Sequence, residues 1–173
     1  MATPETISLP NMRIGSGFDV HKLVPDKPLV LGGCQINFPF GLLAHSDGDV
    51  LLHAIIDALL GAAAMGDIGR LFPDTDPAYK DANSLSLLKD VYTRLTKKNI
   101  SVVNIDATVI CQAPKISPYV ETIKMNISAA LGNMDTGSIN IKGTTTENLG
   151  FTGRGEGIAA QAIALVILGQ GVN

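Results

Sequence analysis

The sequence predicts an α/β (α+β) fold, a single-domain mixed β-sheet with helices packed on one face. Three observations predict it. Extended and helical spacings alternate along the chain, no repeat, linker or low-complexity tract divides it, and 173 residues suit one hydrophobic core. In order, Met12 to Val20 and Pro28 to Phe38 read as extended segments, the second broken at Gly32-Gly33. Ser46 to Ala64 reads as a helix that is apolar on most faces. Asn83 to Lys98 reads as an amphipathic helix entered through Asn83 and Ser84 as caps. Ile100 to Ile110 alternates like a strand, Pro118 to Leu131 returns to helical spacing, Ser138 to Thr146 reads as a strand, and Gly155 to Leu168 as a closing helix.

Composition narrows the functional classes. The chain is 46% hydrophobic and 17% charged, where ordinary soluble domains carry roughly 25% charged residues. Mean hydropathy is +0.26, yet no run of about 20 apolar residues is present to span a bilayer. Val50 to Met65 is interrupted by His53 and Asp57, and Ile158 to Leu168 is short and carries Gln161. No membrane partner is expected, and part of the apolar surface should be hidden against another subunit. Thirteen Lys and Arg against sixteen Asp and Glu give a net charge of -3 without a basic cluster, which argues against nucleic acid. Cys34 and Cys111 lack CxxC spacing and are expected to be small buried residues; the first residues have neither a basic nor an apolar signal region, so a reducing cytoplasm fits.

Gly15-Ser16-Gly17 lacks the third glycine of a dinucleotide fingerprint, and no GxxxxGK[ST] occurs. Gly153 to Gly157, just before the expected last helix, reads equally as an anion-binding helix start or a turn. The histidines are more telling: His21, His45 and His53 each have an aspartate within four residues. Asp19 and His21 are two apart on an extended segment and therefore share a face. His45, Asp49, His53 and Asp57 recur every four residues, which on a helix makes one polar stripe among apolar neighbours. A buried stripe of this kind is costly unless its groups pair or bind a metal. Asp19, His21 and His53 make a two-His, one-carboxylate set that suits Zn²⁺ with an open position, and manganese or iron could take the same ligands. Lys142 to Glu147 places three threonines and a carboxylate in series, suited to phosphate oxygens and a hard cation such as Mg²⁺.

Four runs carry a family resemblance: Arg13 to His21, Ala44 to His53, Gly66 to Asp76 and Thr144 to Gly157. From Met12 to about Leu168 the chain resembles the 2-C-methyl-D-erythritol 2,4-cyclodiphosphate synthase family; residues 1 to 11 lie outside the resemblance and do not look like a transit peptide. The resemblance implies an enzyme of the non-mevalonate isoprenoid pathway. It would convert 4-diphosphocytidyl-2-C-methyl-D-erythritol 2-phosphate to the cyclic diphosphate and CMP, in a bacterial cytoplasm or a plastid. It implies Zn²⁺ on Asp19, His21 and His53, and Mg²⁺ or Mn²⁺ on Glu147 together with substrate. His45 and Ser46 would hold the substrate near its phosphates, with His45 and Thr145 stabilising the transition state. Asp67, Ile68 and Gly69 would hold a sugar, and Phe72, Pro73, Asp74, Thr75 and Asp76 would flank a mobile loop. Cys111, Gln112, Ala113, Pro114, Lys115, Ile116 and Ser117 would read cytosine with backbone groups. Val20, Thr144, Thr146, Phe151 and Arg154 complete the expected substrate-contacting set.

The resemblance further implies a homotrimer around the sheets with active sites between subunits. Phe151, Arg154 and Glu156 would line a central cavity able to take an isoprenoid diphosphate. Ser16 stands where many relatives have His, and its strand phase points it away from Asp19. A zinc phosphoesterase and a non-enzymatic isoprenoid-binding trimer remain the alternatives.

Overall fold

A strand of fifteen residues, β1 (Asn11–Pro25), lies between β4 (Phe40–Leu42) and the last strand, β7 (Gly157–Leu168), in a five-stranded sheet. β5 (Ile100–Ile110) and β6 (Ile139–Thr144) complete the order β4-β1-β7-β5-β6. All neighbours are antiparallel except β5 and β6, so the sheet is mixed. The computed structural model describes residues 11–73, 76 and 82–169. One face of the sheet is covered by α1 (Val50–Ala62), α3 (Ser84–Lys97) and α4 (Val120–Ala130), with two single-turn helices, α2 (Ile68–Leu71) and α5 (Gly150–Gly153), at its margins.

The separate hairpin β2 (Leu29–Leu31) and β3 (Cys34–Ile36) turns at Gly32-Gly33. Both glycines have positive φ, 59° and 67°, as a tight two-residue hairpin loop requires. The amide N–H groups of Gly32 and Gly33 donate to the fully buried Asp49 carboxylate at 2.9 and 2.6 Å, and Leu52 N–H donates to it at 3.0 Å. Asp49 therefore caps α1 and pins the hairpin to it. Burial pushes its carboxyl up to about 6, although the three amides oppose the shift. Asp49→Ala should cost on the order of 3 kcal/mol, since it removes a cap and leaves two turn amides unsatisfied; urea unfolding reads this directly, and an unchanged midpoint would refute it.

Two glycines set the distance between α1 and β1. A Cβ on Gly15 would stand 2.0 Å from the Ala58 carbonyl oxygen, and one on Gly17 would stand 2.0 Å from that of Ala54. Only bare backbone lets the helix sit this low. Gly15, Gly17, Asp19 and His21 share the helix-facing side of β1, while Ile14, Ser16, Phe18 and Val20 are exposed on the other side.

The structure corrects four readings. Residues 157–168 form the sheet's central strand instead of a closing helix. Ala160, Ala162, Ala164 and Val166 are buried under the helices, while Gln161, Ile163 and Leu165 face the other way. A strand with apolar residues on both faces hides its alternation in an Ala/Leu-rich run. Residues 153–157 consequently precede a strand, which removes the expected helix start there. The helix expected from Ser46 starts at Val50, because Gly48 takes a φ of 74° and Asp49 caps. Cys34 is half-buried, whereas Cys111 is buried and its thiol is pushed up to about 11 by desolvation.

The uncovered sheet face carries large apolar side chains. Ile14 is 72% and Phe18 57% exposed, with Met12, Val20 and Ile163 also exposed. The apolar excess of the composition therefore has a place: one continuous side of the sheet.

Candidate metal and substrate site

Asp19 and His21 come from β1 and His53 from the first turns of α1, brought together by the glycine-controlled approach just described. Asp19 Oδ2 lies 2.9 Å from His53 Nδ1 and 3.0 Å from His21 Nε2. The two ring nitrogens are 3.2 Å apart, and the rings meet edge to face at 74°. A tetrahedral centre with bonds of 2.0–2.1 Å separates its donors by about 3.3 Å. The three donor atoms thus already stand nearly where three corners of such a site would be, and they form the described residues' candidate metal set. The donor chemistry fits zinc.

The electrostatics agree with mutual charge stabilisation. Burial alone would raise the Asp19 carboxyl, but hydrogen bonds from His21 and His53 and their positive charge hold it well below the usual carboxylate range. Burial would lower His53, but the bond to Asp19 and the charges of Asp19, Asp49 and Asp47 outweigh it and raise the ring.

The four-residue stripe separates in space. His45 is exposed ahead of α1, and Asp49 turns to the hairpin. His53 and Asp57 alone stay on the helix, one turn apart. Asp57 accepts the Ile68 N–H at 2.7 Å and so holds the start of α2, where Asp67 accepts the Arg70 N–H at 2.8 Å. Desolvation raises the Asp57 carboxyl against that amide bond. Ser46 Oγ lies 3.4 Å from His53 Nε2 and accepts from Gly48 N–H. Phe72 is buried under the guanidinium of Arg94, 5.9 Å above its ring. Gly69 and Pro73 lie near it in the chain, and Asp76 is exposed; Asp74 and Thr75 lie outside the described residues.

A second centre forms at β6. A cleft of about 290 Å³ is lined by Cys111, Gln112, Pro114, Lys115, Ile116 and Ser117, with Thr144 and Thr145 on its other wall. The segment expected to read cytosine and the threonine turn therefore meet. Thr145 Oγ1 donates to Glu147 Oε1 at 2.6 Å, and Asn148 N–H donates to Gln112 Oε1 at 3.4 Å. Glu147 and Asn148 both take left-handed backbone, φ 51° and 64°, which is strained for residues with a side chain. Thr146 instead spends its hydroxyl inside the turn, donating to the Leu149 carbonyl at 2.6 Å. Phe151 is half exposed nearby, and Arg154 forms an exposed ion pair with Glu156 at 2.7 Å.

Register places the two centres at one level of the sheet: Asp19 pairs with Ala160, Ala160 with Val109, and Val109 with Gly143. Three inter-strand steps put them about 14 Å apart. Sequence reasoning missed Ser84 and Asp47. Ser84 is fully buried, its Oγ 3.1 Å from His53 Nε2 and 2.5 Å from Asp47 Oδ1. The residues lie 31 and 37 positions apart in the chain, and Ser84 reads there only as a helix-start residue.

Fold and site define a mixed-sheet α/β protein with an Asp-His-His set able to hold a divalent metal and, across the same sheet, a separate cleft of about 290 Å³. The chain belongs to the YgbB family, whose model matches residues 12–167. A protein of Azoarcus sp. (strain BH72) named 2-C-methyl-D-erythritol 2,4-cyclodiphosphate synthase is 61% identical over 154 residues, covering 89% of this chain and 94% of its own. A protein of the same name from Clostridium acetobutylicum is 58% identical, covering 90% of this chain and 100% of its own. Among solved structures, the Plasmodium falciparum IspF complex with CDP matches with a TM-score of 0.81 at 40% identity, over 94% of this chain and 100% of that one. The bifunctional IspDF of Campylobacter jejuni matches with a TM-score of 0.89 at 44% identity; 94% of this chain is covered, and it spans 44% of that longer one.

Proposed function

We propose that this chain carries out the 2-C-methyl-D-erythritol 2,4-cyclodiphosphate synthase reaction, as a phosphorus-oxygen lyase of the non-mevalonate isoprenoid pathway. The observation that carries the reading is the convergence of the Asp19, His21 and His53 donors to tetrahedral spacing. The threonine turn and cleft at the same level of the sheet support it, as do the names of the relatives.

In the reaction, an oxygen of the substrate's 2-phosphate bonds to the β-phosphorus. The bond from that phosphorus to the oxygen shared with the α-phosphate breaks, and CMP leaves with that oxygen. A phosphate monoester with a second pKa near 6 is mostly dianionic at neutral pH, so no strong general base is needed. The chain's work is orientation and charge neutralisation. Asp19, His21 and His53 would hold the divalent metal, for which Zn²⁺ suits the donor set, and when bound it would supply Lewis-acid polarisation of a phosphate oxygen. Glu147 would hold Mg²⁺ or Mn²⁺ together with the substrate, His45 and Ser46 would grip the phosphates, and His45 and Thr145 would stabilise the transition state. Asp67 and Gly69 hold a sugar, and backbone groups of residues 111–117 receive the cytosine.

The 14 Å between the two centres and the apolar open face support a homotrimer with each site shared by neighbouring copies. In such a trimer the exposed Phe151, Arg154 and Glu156 would line a central cavity that could take an isoprenoid diphosphate. Bacterial relatives support a cytoplasmic location, and among the described residues no helix is long and apolar enough to cross a membrane.

The deciding experiment is CMP release from the purified protein with and without a chelator, with the mass in solution measured alongside. The expected result is release abolished by chelation, restored by Zn²⁺ with Mg²⁺, at the mass of a trimer. Phosphorus NMR should show a ring diphosphate; a linear product would instead indicate a phosphoesterase, and no release at all would leave only a binding role.

A further inference from the structure

The hydroxyl of Ser84 has one proton and sits between two partners. Asp47 Oδ1, 2.5 Å away, is a carboxylate oxygen and can only accept, and Asp47 Oδ2 accepts the Ser84 N–H at 2.8 Å. The proton therefore goes to Asp47. Ser84 Oγ then has only lone pairs left for His53 Nε2, 3.1 Å away, so that nitrogen must be the donor. Ser46 Oγ, at 3.4 Å, is the more distant neighbour of the same nitrogen.

We propose that Ser84, with Asp47 behind it, is a positioning pair that keeps the proton of His53 on Nε2 and leaves the Nδ1 lone pair for the metal. A neutral imidazole carries one proton, and Nδ1 is the atom that faces Asp19 and His21. With the proton on Nδ1, the ring would have no electron pair to offer there. The pair also fixes the ring's rotation, because Ser84 begins α3 and Asp47 belongs to the loop entering α1. Ser84 thus holds the ring, and Asp47 holds Ser84. Outer partners of metal-bound histidines characteristically act in this way.

The inference rests on the metal-centre reading, so the test reads the metal and the proton and does not rely on turnover. Zn²⁺ affinity is measured by competition with a chromophoric chelator for the wild type, Ser84→Ala, Ser84→Thr and Asp47→Asn. Ser84→Ala removes the acceptor. Asp47→Asn breaks the pair, because its amide nitrogen must face either the Ser84 N–H or the Asp49 N–H and Ser84 hydroxyl that Asp47 now receives. Both should bind Zn²⁺ about 10–100-fold more weakly, while Ser84→Thr, which keeps the hydroxyl, retains most of the affinity. In the Zn²⁺-loaded protein, where the metal would hold Nδ1, long-range ¹H–¹⁵N spectra of the His53 ring should show an Nε2–H protected from exchange in the wild type and one that exchanges faster in Asp47→Asn. That signature separates positioning from a merely structural loss, and Asp47→Asn serves if Ser84→Ala fails to fold. Wild-type affinity in folded Ser84→Ala and Asp47→Asn, or equal Nε2–H protection in Zn²⁺-loaded Asp47→Asn, overturns the proposal while leaving the metal centre intact. A wild type that binds no Zn²⁺ overturns the metal centre and the proposal together.

Discussion

His53→Ala is expected to lose bound zinc and nearly all turnover. The ring supplies one of three converging donors, and it is also the link through which Ser84 and Asp47 reach the centre. Loss of an outer partner of a metal ligand costs about 10–100-fold; loss of the ligand itself should exceed that. Metal content by atomic spectroscopy and the rate of CMP release are the two measurements. Full activity with stoichiometric zinc in the variant would show that His53 is not a ligand.

The second large effect is expected from a methyl group. Gly17→Ala puts a carbon 2.0 Å from the Ala54 carbonyl oxygen and 2.7 Å from the Ala58 nitrogen, both backbone atoms that cannot rotate aside. Overpacking a core typically costs 1–3 kcal/mol, occasionally more, and a clash with rigid helix backbone should reach about 3 kcal/mol. For a domain of this size that lowers Tm by roughly 6–12 °C. Ala54 adjoins His53, so the displaced helix should also carry a zinc ligand away from β1 and weaken metal binding. Ser16→Ala, one residue away on the open face, is the comparison and should change neither quantity. A Gly17→Ala protein with wild-type Tm and zinc affinity would mean that the helix and strand yield more easily than their geometry implies.

Much of the site was legible because ligands so close in sequence leave a periodic mark. Asp19 and His21 sit two apart on a strand, and their shared face follows from that spacing alone. Strand β5 was legible from Ile100 to Ile110 because its buried and exposed residues alternate. Strand β7 was not, since alanines under the helices and isoleucines on the open face are both apolar and no period survives. The start of α1 was hidden for a different reason: Asp49 looks like another member of the His-Asp stripe, and only the hairpin amides it receives reveal a cap. Gly15 and Gly17 raise the question of phosphate binding in the sequence, whereas their role is to admit a helix. Ser84 left no local trace, because its partners arrive from distant parts of the chain.

The row from Asp19 through Ala160 and Val109 to Gly143 places the metal donors and the threonine turn at opposite margins of one sheet. On the trimer reading, folding of a single copy yields two unmatched halves and no complete reaction centre. Assembly then becomes a chemical requirement: a reaction centre forms only where two copies meet, and conditions that dilute or disperse them silence the enzyme without unfolding it.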